Sequence, residues 1–356
     1  MPPTVAVSML TLVPGAMGGS ETYSRELTRQ LKTTDRVRAT AFVPSNAAGF
    51  SEGIPEVVVT QVRTGSTAVG RLGAIAAANV RRRSLATSLR SADVVHFPFT
   101  IPSPRPARSQ AFVQTLLDVQ HLDLPQLFGR AELAFRRHFY EGAARRADAV
   151  ITISEFARTR MIEQLRIPAD RVHVAHLGVD VDSFIPNTAD REDFVLYPAR
   201  GWKHKNHARL VEAMRAVRAD RPEMRLVLTG GGLDSLGELP DWVEVRGLVS
   251  SAELRALYRS AAVLAFPSLY EGFGLPPLEA MASGCPVAAT DAGSVPEVCG
   301  DAAVLFDAGE PAAIAAGILT ALERSGELTR KGLEQVRMFT WERCRDVHVD
   351  VYRAVA

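Results

Sequence analysis

Short apolar runs alternate with longer amphipathic stretches along this 356-residue chain, and the rhythm starts twice. Apolar runs at 5–10, 37–43, 93–97, 111–115, 149–153 and 172–176 read as strands. Residues 20–31 and 130–147 between them read as helices. Leu177-Gly-Val-Asp180 and Pro186-Asn187 look like a connection between domains. The pattern then restarts, with strands at 194–198, 224–229, 243–245, 262–266 and 286–289 and a helix from Asn206. Strand–helix–strand alternation of this kind predicts parallel, doubly wound α/β sheets. A chain of 356 residues has the length of two domains. We expect them over 1–182 and 183–338, with a last helix near 340–355, in the segment 339–356, returning to the first domain.

Charge excludes little. The net charge is +1, which gives nucleic acid no obvious hold. The first 182 residues carry 22 Lys+Arg against 16 Asp+Glu, and the remainder 19 against 24. A mildly basic first half could meet an anionic acceptor or an anionic membrane surface, although a solvated face is the ordinary reading. The same holds for Arg81-Arg82-Arg83. Cys285, Cys299 and Cys344 are an odd number without metal-ligand spacing, so a reducing cytoplasm is expected. No signal peptide and no membrane span are predicted, leaving a soluble or peripheral protein.

The chemistry concentrates after the apolar run 262–266, in Ser268-Leu-Tyr-Glu271-Gly-Phe-Gly-Leu-Pro-Pro-Leu-Glu279. Open parallel sheets bind ligands at the carboxyl ends of their strands, where Glu271 should sit. Pro276-Pro277 is expected to open a helix, with Glu279 in its first turn. Two carboxylates with backbone N–H groups between them suit a hydroxyl-rich ligand.

Three further segments sit at strand ends. Gly15-Ala-Met-Gly18-Gly19-Ser20 follows the first strand, and Ser20 is a candidate N-cap over an anion site. It lacks the Gly-x-Gly-x-x-Gly spacing of dinucleotide folds, and a simple turn is an equal reading. Ala199-Arg200-Gly-Trp-Lys203-His-Lys205-Asn206 offers a guanidinium fork, an ammonium and an N-cap; its alternative is a solvated basic turn. Leu117-Asp118-Val-Gln-His121 places Asp118 and His121 on the side of the sheet expected to face a cleft, though a lone histidine is more often structural.

Together these residues resemble the retaining glycosyltransferases of family 4, and within them bacterial mannosyltransferase-like members. The resemblance runs through Gly18-Gly19-Ser-Glu-Thr-Tyr, Leu117-Asp118-Val-Gln-His121 with Pro125, Arg145-Arg-Ala-Asp-Ala-Val-Ile-Thr-Ile-Ser154-Glu155-Phe156, and Leu177-Gly-Val-Asp180. It continues through Arg200 with Lys205-Asn206, Glu253-Leu-Arg-Ala-Leu-Tyr258, Glu271-x7-Glu279 and Gly293-Ser-Val-Pro296-Glu297-Val-Cys-Gly300-Asp301.

The resemblance implies the GT-B fold: two Rossmann-like domains facing a cleft, with the donor on the second and the acceptor mainly on the first. It implies that Glu279 holds the nucleotide ribose and that Arg200 and Lys205 bind the diphosphate. Phe273, Gly274 and Leu275 would present backbone N–H groups, with Glu271 near sugar hydroxyls. Gly19 would meet the phosphate from the first domain, and Leu248 and Val249 would flank the base. Asp118 and His121 complete the expected catalytic set. The implied reaction moves a hexose from a nucleotide-diphosphate sugar, which is a substrate rather than a cofactor, to a glycan, lipid-linked or small-molecule hydroxyl.

No Asp-x-Asp motif is placed for a metal, so Arg200 and Lys205 are expected to replace one. GDP-mannose is the expected donor, from the resemblance of the segment 197–207 to mannosyl-transferring members. A UDP-sugar enzyme, or a nucleotide-sugar-binding protein with reduced turnover, are the alternatives. The last is motivated by one departure: Leu117 stands where the family commonly has the histidine before this aspartate.

Overall fold

The computed structural model describes residues 1–65, 73, 89, 91–186 and 191–356. Arg81-Arg82-Arg83 and Asn187 lie outside the described residues. Two compact units are present: Met1–Gly178 with Trp341–Ala356, and Val179–Thr340.

The first unit is built on a seven-stranded parallel sheet: β1 (Thr4–Ser8), β2 (Arg38–Pro44), β3 (Glu56–Val59), β4 (Val94–Phe97), β5 (Ala111–Thr115), β6 (Ala149–Thr152) and β7 (Val172–Val174). Their order is β3-β2-β1-β4-β5-β6-β7, so the winding reverses between β1 and β4. The central strands are buried on both faces, as strands covered by helices on each side must be. Val95, Phe97, Phe112 and Val150 pack with Ala143, Ala144 and Ala147 into one apolar cluster.

The second unit has six parallel strands: β8 (Glu192–Pro198), β9 (Arg225–Thr229), β10 (Val243–Gly247), β11 (Ala261–Phe266), β12 (Val287–Thr290) and β13 (Val304–Phe306). Their order is β10-β9-β8-β11-β12-β13, with the reversal between β8 and β11. Such a reversal opens a crevice at the carboxyl ends of the two central strands. The expected pair of doubly wound sheets is therefore what the chain forms. β3 and β13 were not expected. Both are short edge strands, and Val57 and Val58 of β3 are more than a third exposed, so neither carries the full apolar signature of an inner strand.

The helices include α1 (Gly19–Leu31), α2 (Glu155–Leu165), α3 (His207–Asp220), α4 (Ser251–Ser260), α5 (Leu275–Ala282), α6 (Val295–Cys299), α7 (Pro311–Glu323), α8 (Ser325–Gln335) and α9 (Trp341–Val355). Side-chain caps open two of them: Ser154 Oγ accepts from Ala157 N at 3.0 Å, and Ser250 Oγ from Glu253 N at 3.2 Å. The helical stretch expected over 130–147 is interrupted by a π-helical turn at Arg137–Glu141.

Ser20 does not cap α1. Gly18 holds the N-cap position at φ 55° and ψ −131°, a conformation that side-chain-bearing residues avoid, and this draws Ser20 inside the helix. Glu21 closes the preceding loop instead, its Oε2 accepting from Gly15 N at 2.9 Å.

Helix α9 belongs to the first unit and is pinned there by a buried polar chain. His348 Nδ1 lies 2.8 Å from the Cys344 carbonyl, which can only accept, so Nδ1 carries the proton. Burial pushes the His348 pKa down to about 4, so the neutral ring accepts at Nε2 from the Tyr23 hydroxyl, 2.7 Å away. The Tyr23 oxygen then accepts from Thr115 Oγ1 at 2.8 Å, and Thr115 in turn accepts from His96 Nε2 at 2.8 Å. His96 Nδ1 accepts from the Tyr352 hydroxyl at 2.8 Å. One terminal carbonyl thus fixes the direction of five consecutive hydrogen bonds, which join α1, β4, β5 and α9.

Candidate active site

At the reversal point of the second sheet, the loops after β8 and β11 are stitched together. Leu269 N donates to the His204 carbonyl at 2.8 Å. Tyr197, at the end of β8, donates its hydroxyl to the Lys205 carbonyl at 2.7 Å and lies 3.0 Å from Ser268 Oγ. Asn206 stands at the N-cap position of α3, as expected, but its side chain caps nothing. With φ 61° its amide turns away from the helix and donates to the carbonyls of Pro267, at 3.1 Å, and Ala308, at 2.7 Å.

These ties bring Lys205 and Glu271 together. Lys205 Nζ lies 2.5 Å from Glu271 Oε1, and both side chains are mostly covered. The Glu271 backbone is gripped from the loop before α6. Ser294 Oγ approaches the carbonyls of Glu271, at 3.0 Å, and Phe273, at 2.7 Å. A side chain at Gly293 would put its Cβ 2.9 Å from the Glu271 carbonyl oxygen, so only glycine allows this approach. His204 and His207 flank Lys205, and burial holds the pKa of each down to about 4, with the Lys205 charge adding to it. Both rings are neutral at pH 7, leaving Arg200 and the lysines as the cations of this loop.

Helix α5 starts at Leu275, with Gly274 at the N-cap and φ 113°. Pro276 and Pro277 occupy its second and third positions and have no N–H to offer. The unsatisfied donors of this helix start therefore fall on the Gly274 and Leu275 amides. Phe273 is buried, its ring 5.8 Å from that of Phe339.

Glu279 is not in the first turn of α5 as expected, because the helix begins one residue before the prolines. It is the fifth helical residue, one position deeper than expected, and its carboxylate accepts from the Tyr258 hydroxyl at 2.8 Å. Burial raises its pKa above the usual carboxylate range, and the Tyr258 bond offsets part of that rise. Leu248 follows β10 and is 80% exposed, with Val249 half-buried beside it. Leu248 is a large apolar side chain standing at strand-end level beside Gly231.

In the first unit, Gly19 opens α1, and a Cβ there would meet nothing within 4 Å. Asp118 is half-buried, and its Oδ1 accepts from Gln120 N at 3.0 Å to start the short helix Gln120–Asp123. His121, expected on the side of the sheet that faces a cleft, is buried in its own unit, only 2% exposed. Phe128 and Tyr140 wall it edge-on, and Glu141 Oε1 lies 3.4 Å from Nε2. Neither ring nitrogen makes a hydrogen bond among the described residues. Burial lowers its pKa, Arg136 adds to that, and the Glu141 and Asp118 carboxylates oppose it. All three cysteines are free and buried, with thiol pKa values pushed up to about 12 by burial.

The residues expected at the site in the second unit rest on side chains that the sequence did not single out. Tyr197, Ser268 and Tyr258 hold the Lys205 loop and Glu279, and Gly293-Ser294 holds Glu271. A tyrosine at the end of an apolar run, with its hydroxyl needing a partner, was the available signal for Tyr197.

Comparison with known proteins assigns the chain. The family model described as "Glycosyltransferase Family 4" matches residues 17–183, and that for "Glycosyl transferases group 1" matches 179–335. The chain belongs to the family 4 glycosyltransferases. Over 273 residues it is 29% identical to the "O-antigen chain mannosyltransferase B" of Escherichia coli, covering 70% of this chain and 71% of that one. Over 232 residues it is 32% identical to the "MMP alpha-(1->4)-mannosyltransferase" of Mycolicibacterium hassiacum, covering 60% of this chain and 56% of that one.

Among solved structures, sucrose-phosphate synthase from Thermosynechococcus elongatus superposes with a TM-score of 0.79 at 19% identity, over 99% of this chain and 98% of that one. The Anabaena protein HepE, in complex with UDP and glucose, gives 0.73 at 18% identity, over 99% of this chain and 100% of that one. Both likenesses are of fold, and the fold is GT-B. No described helix is long and apolar enough to cross a membrane.

Proposed function

We propose that this glycosyltransferase moves mannose from GDP-mannose to a hydroxyl acceptor, with retention of anomeric configuration and without a metal. The observation that carries the donor assignment is the Lys205–Glu271 pair at the reversal point, with Arg200 on the same loop and the Gly274 and Leu275 amides opening α5. Breaking an anomeric C–O bond puts negative charge on the leaving diphosphate and oxocarbenium character on the sugar. Arg200, Lys205 and the two amides stabilise the first. Glu271 receives hydroxyls of the sugar, and Glu279 those of the ribose. Leu248 and Val249 cover one side of the base. The cations take the part a divalent ion plays elsewhere.

In this mechanism the acceptor hydroxyl attacks from the face the diphosphate leaves, and a phosphate oxygen takes its proton. No enzyme nucleophile is needed. Asp118 and His121 act on the acceptor side, His121 through its buried contact with Glu141 rather than by touching the sugar. Mannose is supported by relatives named as mannosyltransferases, and a glycan or lipid-linked acceptor by the O-antigen in the name of one of them. A cytoplasmic enzyme, peripheral to a membrane, fits three unpaired cysteines and the basic first half.

The test is a panel of GDP- and UDP-sugars scored by donor hydrolysis and by thermal stabilisation. GDP-mannose should stabilise most and turn over fastest. Selective response to UDP-sugars overturns the donor, and no response to any nucleoside diphosphate overturns the site.

A further inference from the structure

Trp202 is 54% exposed, an unusual place for the largest apolar side chain, in the middle of the loop that carries Arg200 and Lys205. The backbone on both sides of it is fixed. Gly201 N donates to the Gly231 carbonyl at 3.0 Å, and Lys205 N to the Trp202 carbonyl at 2.9 Å. A Cβ at Gly201 would fall 2.1 Å from the Gly232 carbonyl oxygen, so the two loops are in backbone contact there. The backbone that carries the indole is thus held in place although the ring faces solvent. The Arg200 guanidinium carbon lies over its ring, 5.4 Å from the centroid, and the His204 ring is 5.5 Å away at a 37° tilt. With its pKa near 4, His204 is neutral at pH 7 and does not repel the guanidinium.

We propose that Trp202 is a positioning residue for Arg200: it stacks the guanidinium and holds it ready for the donor diphosphate, acting through Arg200 and not on the ligand. The proposal rests on the reading of Arg200 and Lys205 as diphosphate ligands. A long, flexible side chain loses rotamer freedom when it binds phosphate. An aromatic face that already restrains it lowers that cost, and a guanidinium over such a face keeps the N–H fork in its own plane free for phosphate oxygens.

The experiment is a double-mutant cycle read by calorimetric titration with GDP and with UDP. Trp202→Leu should weaken nucleoside diphosphate binding about three- to five-fold, as loss of an exposed cation–π contact does. Trp202→Phe should recover most of that. In Arg200→Ala the same Trp202→Leu change should have no further effect, because its only route of action is gone. Additive losses would mean that the indole meets the ligand directly, and an unchanged affinity in Trp202→Leu would mean that it does nothing for binding; either overturns the proposal. Lys205→Ala separates the two levels. If it weakens binding while Arg200→Ala does not, the diphosphate site stands and the role of Trp202 falls. If neither does, the site reading itself has failed.

Discussion

Lys205 Nζ stands 2.5 Å from Glu271 Oε1, with side chains 14% and 13% exposed, at the one place where two central strands of the second sheet part. A charge pair this well covered has been taken largely out of water, and each partner depends on the other. In the proposed reaction, a diphosphate arriving at Lys205 would offer it a second anion and free Glu271 for the sugar hydroxyls. Lys205→Ala should weaken nucleoside diphosphate binding by about 10- to 100-fold, the worth of a charge-assisted hydrogen bond. Glu271→Ala should leave nucleotide affinity within a few-fold of normal and lower turnover at saturating donor. Calorimetry on the first and steady-state rates on the second check this. An unchanged affinity, or an unchanged rate, removes the corresponding role.

Glu279 gives a pH test. Burial raises its folded pKa above the ordinary carboxylate value. The folded protein therefore holds this proton more tightly than the unfolded chain, and stability falls as pH rises from the ordinary carboxylate range through the raised value. Ribose hydroxyls that donate to the carboxylate favour its charged form. Nucleotide binding should then release protons in that window, and affinity should rise with pH there and level off above it. Titrations at one pH in buffers of different ionisation enthalpy count the protons. The ligand phosphate titrates near pH 6 as well, so the informative quantity is the difference from Glu279→Gln. That variant should bind about 10-fold more weakly and be no less stable at pH 7. Equal proton release in both proteins would falsify the ribose assignment.

Much of this site was legible because strand ends are legible. An apolar run followed by glycine, charge and proline announces a loop at the carboxyl edge of a sheet, and Arg200, Lys205 and Glu271 all follow such runs. The resemblance of spaced motifs to a family added the roles proposed for them. What was not legible depends on long-range contact. Nothing near position 121 says that its ring turns inward, since that follows from Phe128, Tyr140 and Glu141 closing over it. The place of Glu279 in its helix was missed by one residue, because Pro276 and Pro277 fit the second and third helical positions as readily as the first and second. Ser20 was expected to cap a helix that its neighbour Gly18 caps by backbone geometry alone.

The contact between the loops at Gly201 and Gly232 predicts a sharp contrast between two neighbouring glycines. A Cβ on Gly201 meets backbone at 2.1 Å, whereas one on Gly231 meets only the Leu248 side chain at 3.7 Å. Gly201→Ala should cost about 1–3 kcal/mol of stability, as overpacking against fixed backbone does, and should displace Arg200 and weaken nucleoside diphosphate binding. Gly231→Ala should leave stability within about 0.5 kcal/mol. Urea unfolding of both variants decides it. Equal midpoints would show that the two loops are not in the contact described.

The buried chain from Tyr352 to the Cys344 carbonyl makes the anchoring of α9 sensitive to acid. Burial lowers the pKa of His96 well below 6.5, with the neighbouring His348 adding to the effect, and that of His348 to about 4. A protonated ring at either position would turn an acceptor nitrogen into a donor facing a hydroxyl that already donates, and would break the direction of the whole chain. Unfolded, both rings take up protons near the ordinary histidine value, so between the two values the unfolded state binds more protons. The contribution of these residues is therefore complete above about pH 6.5 and is lost as pH falls toward 4. For His348 alone the loss amounts to roughly 3 kcal/mol at the bottom of that window. Tyr352→Phe leaves His96 Nδ1 buried without a donor, which should cost about 1–3 kcal/mol at pH 7. The variant should also be less sensitive to acid than the parent, because protonated His96 no longer opposes a hydroxyl there. Denaturant midpoints for parent and variant at pH 7 and pH 5 check both statements. A parent whose midpoint does not fall between these pH values, or a variant that falls by more than the parent, would show that this chain does not set the acid stability of the first unit.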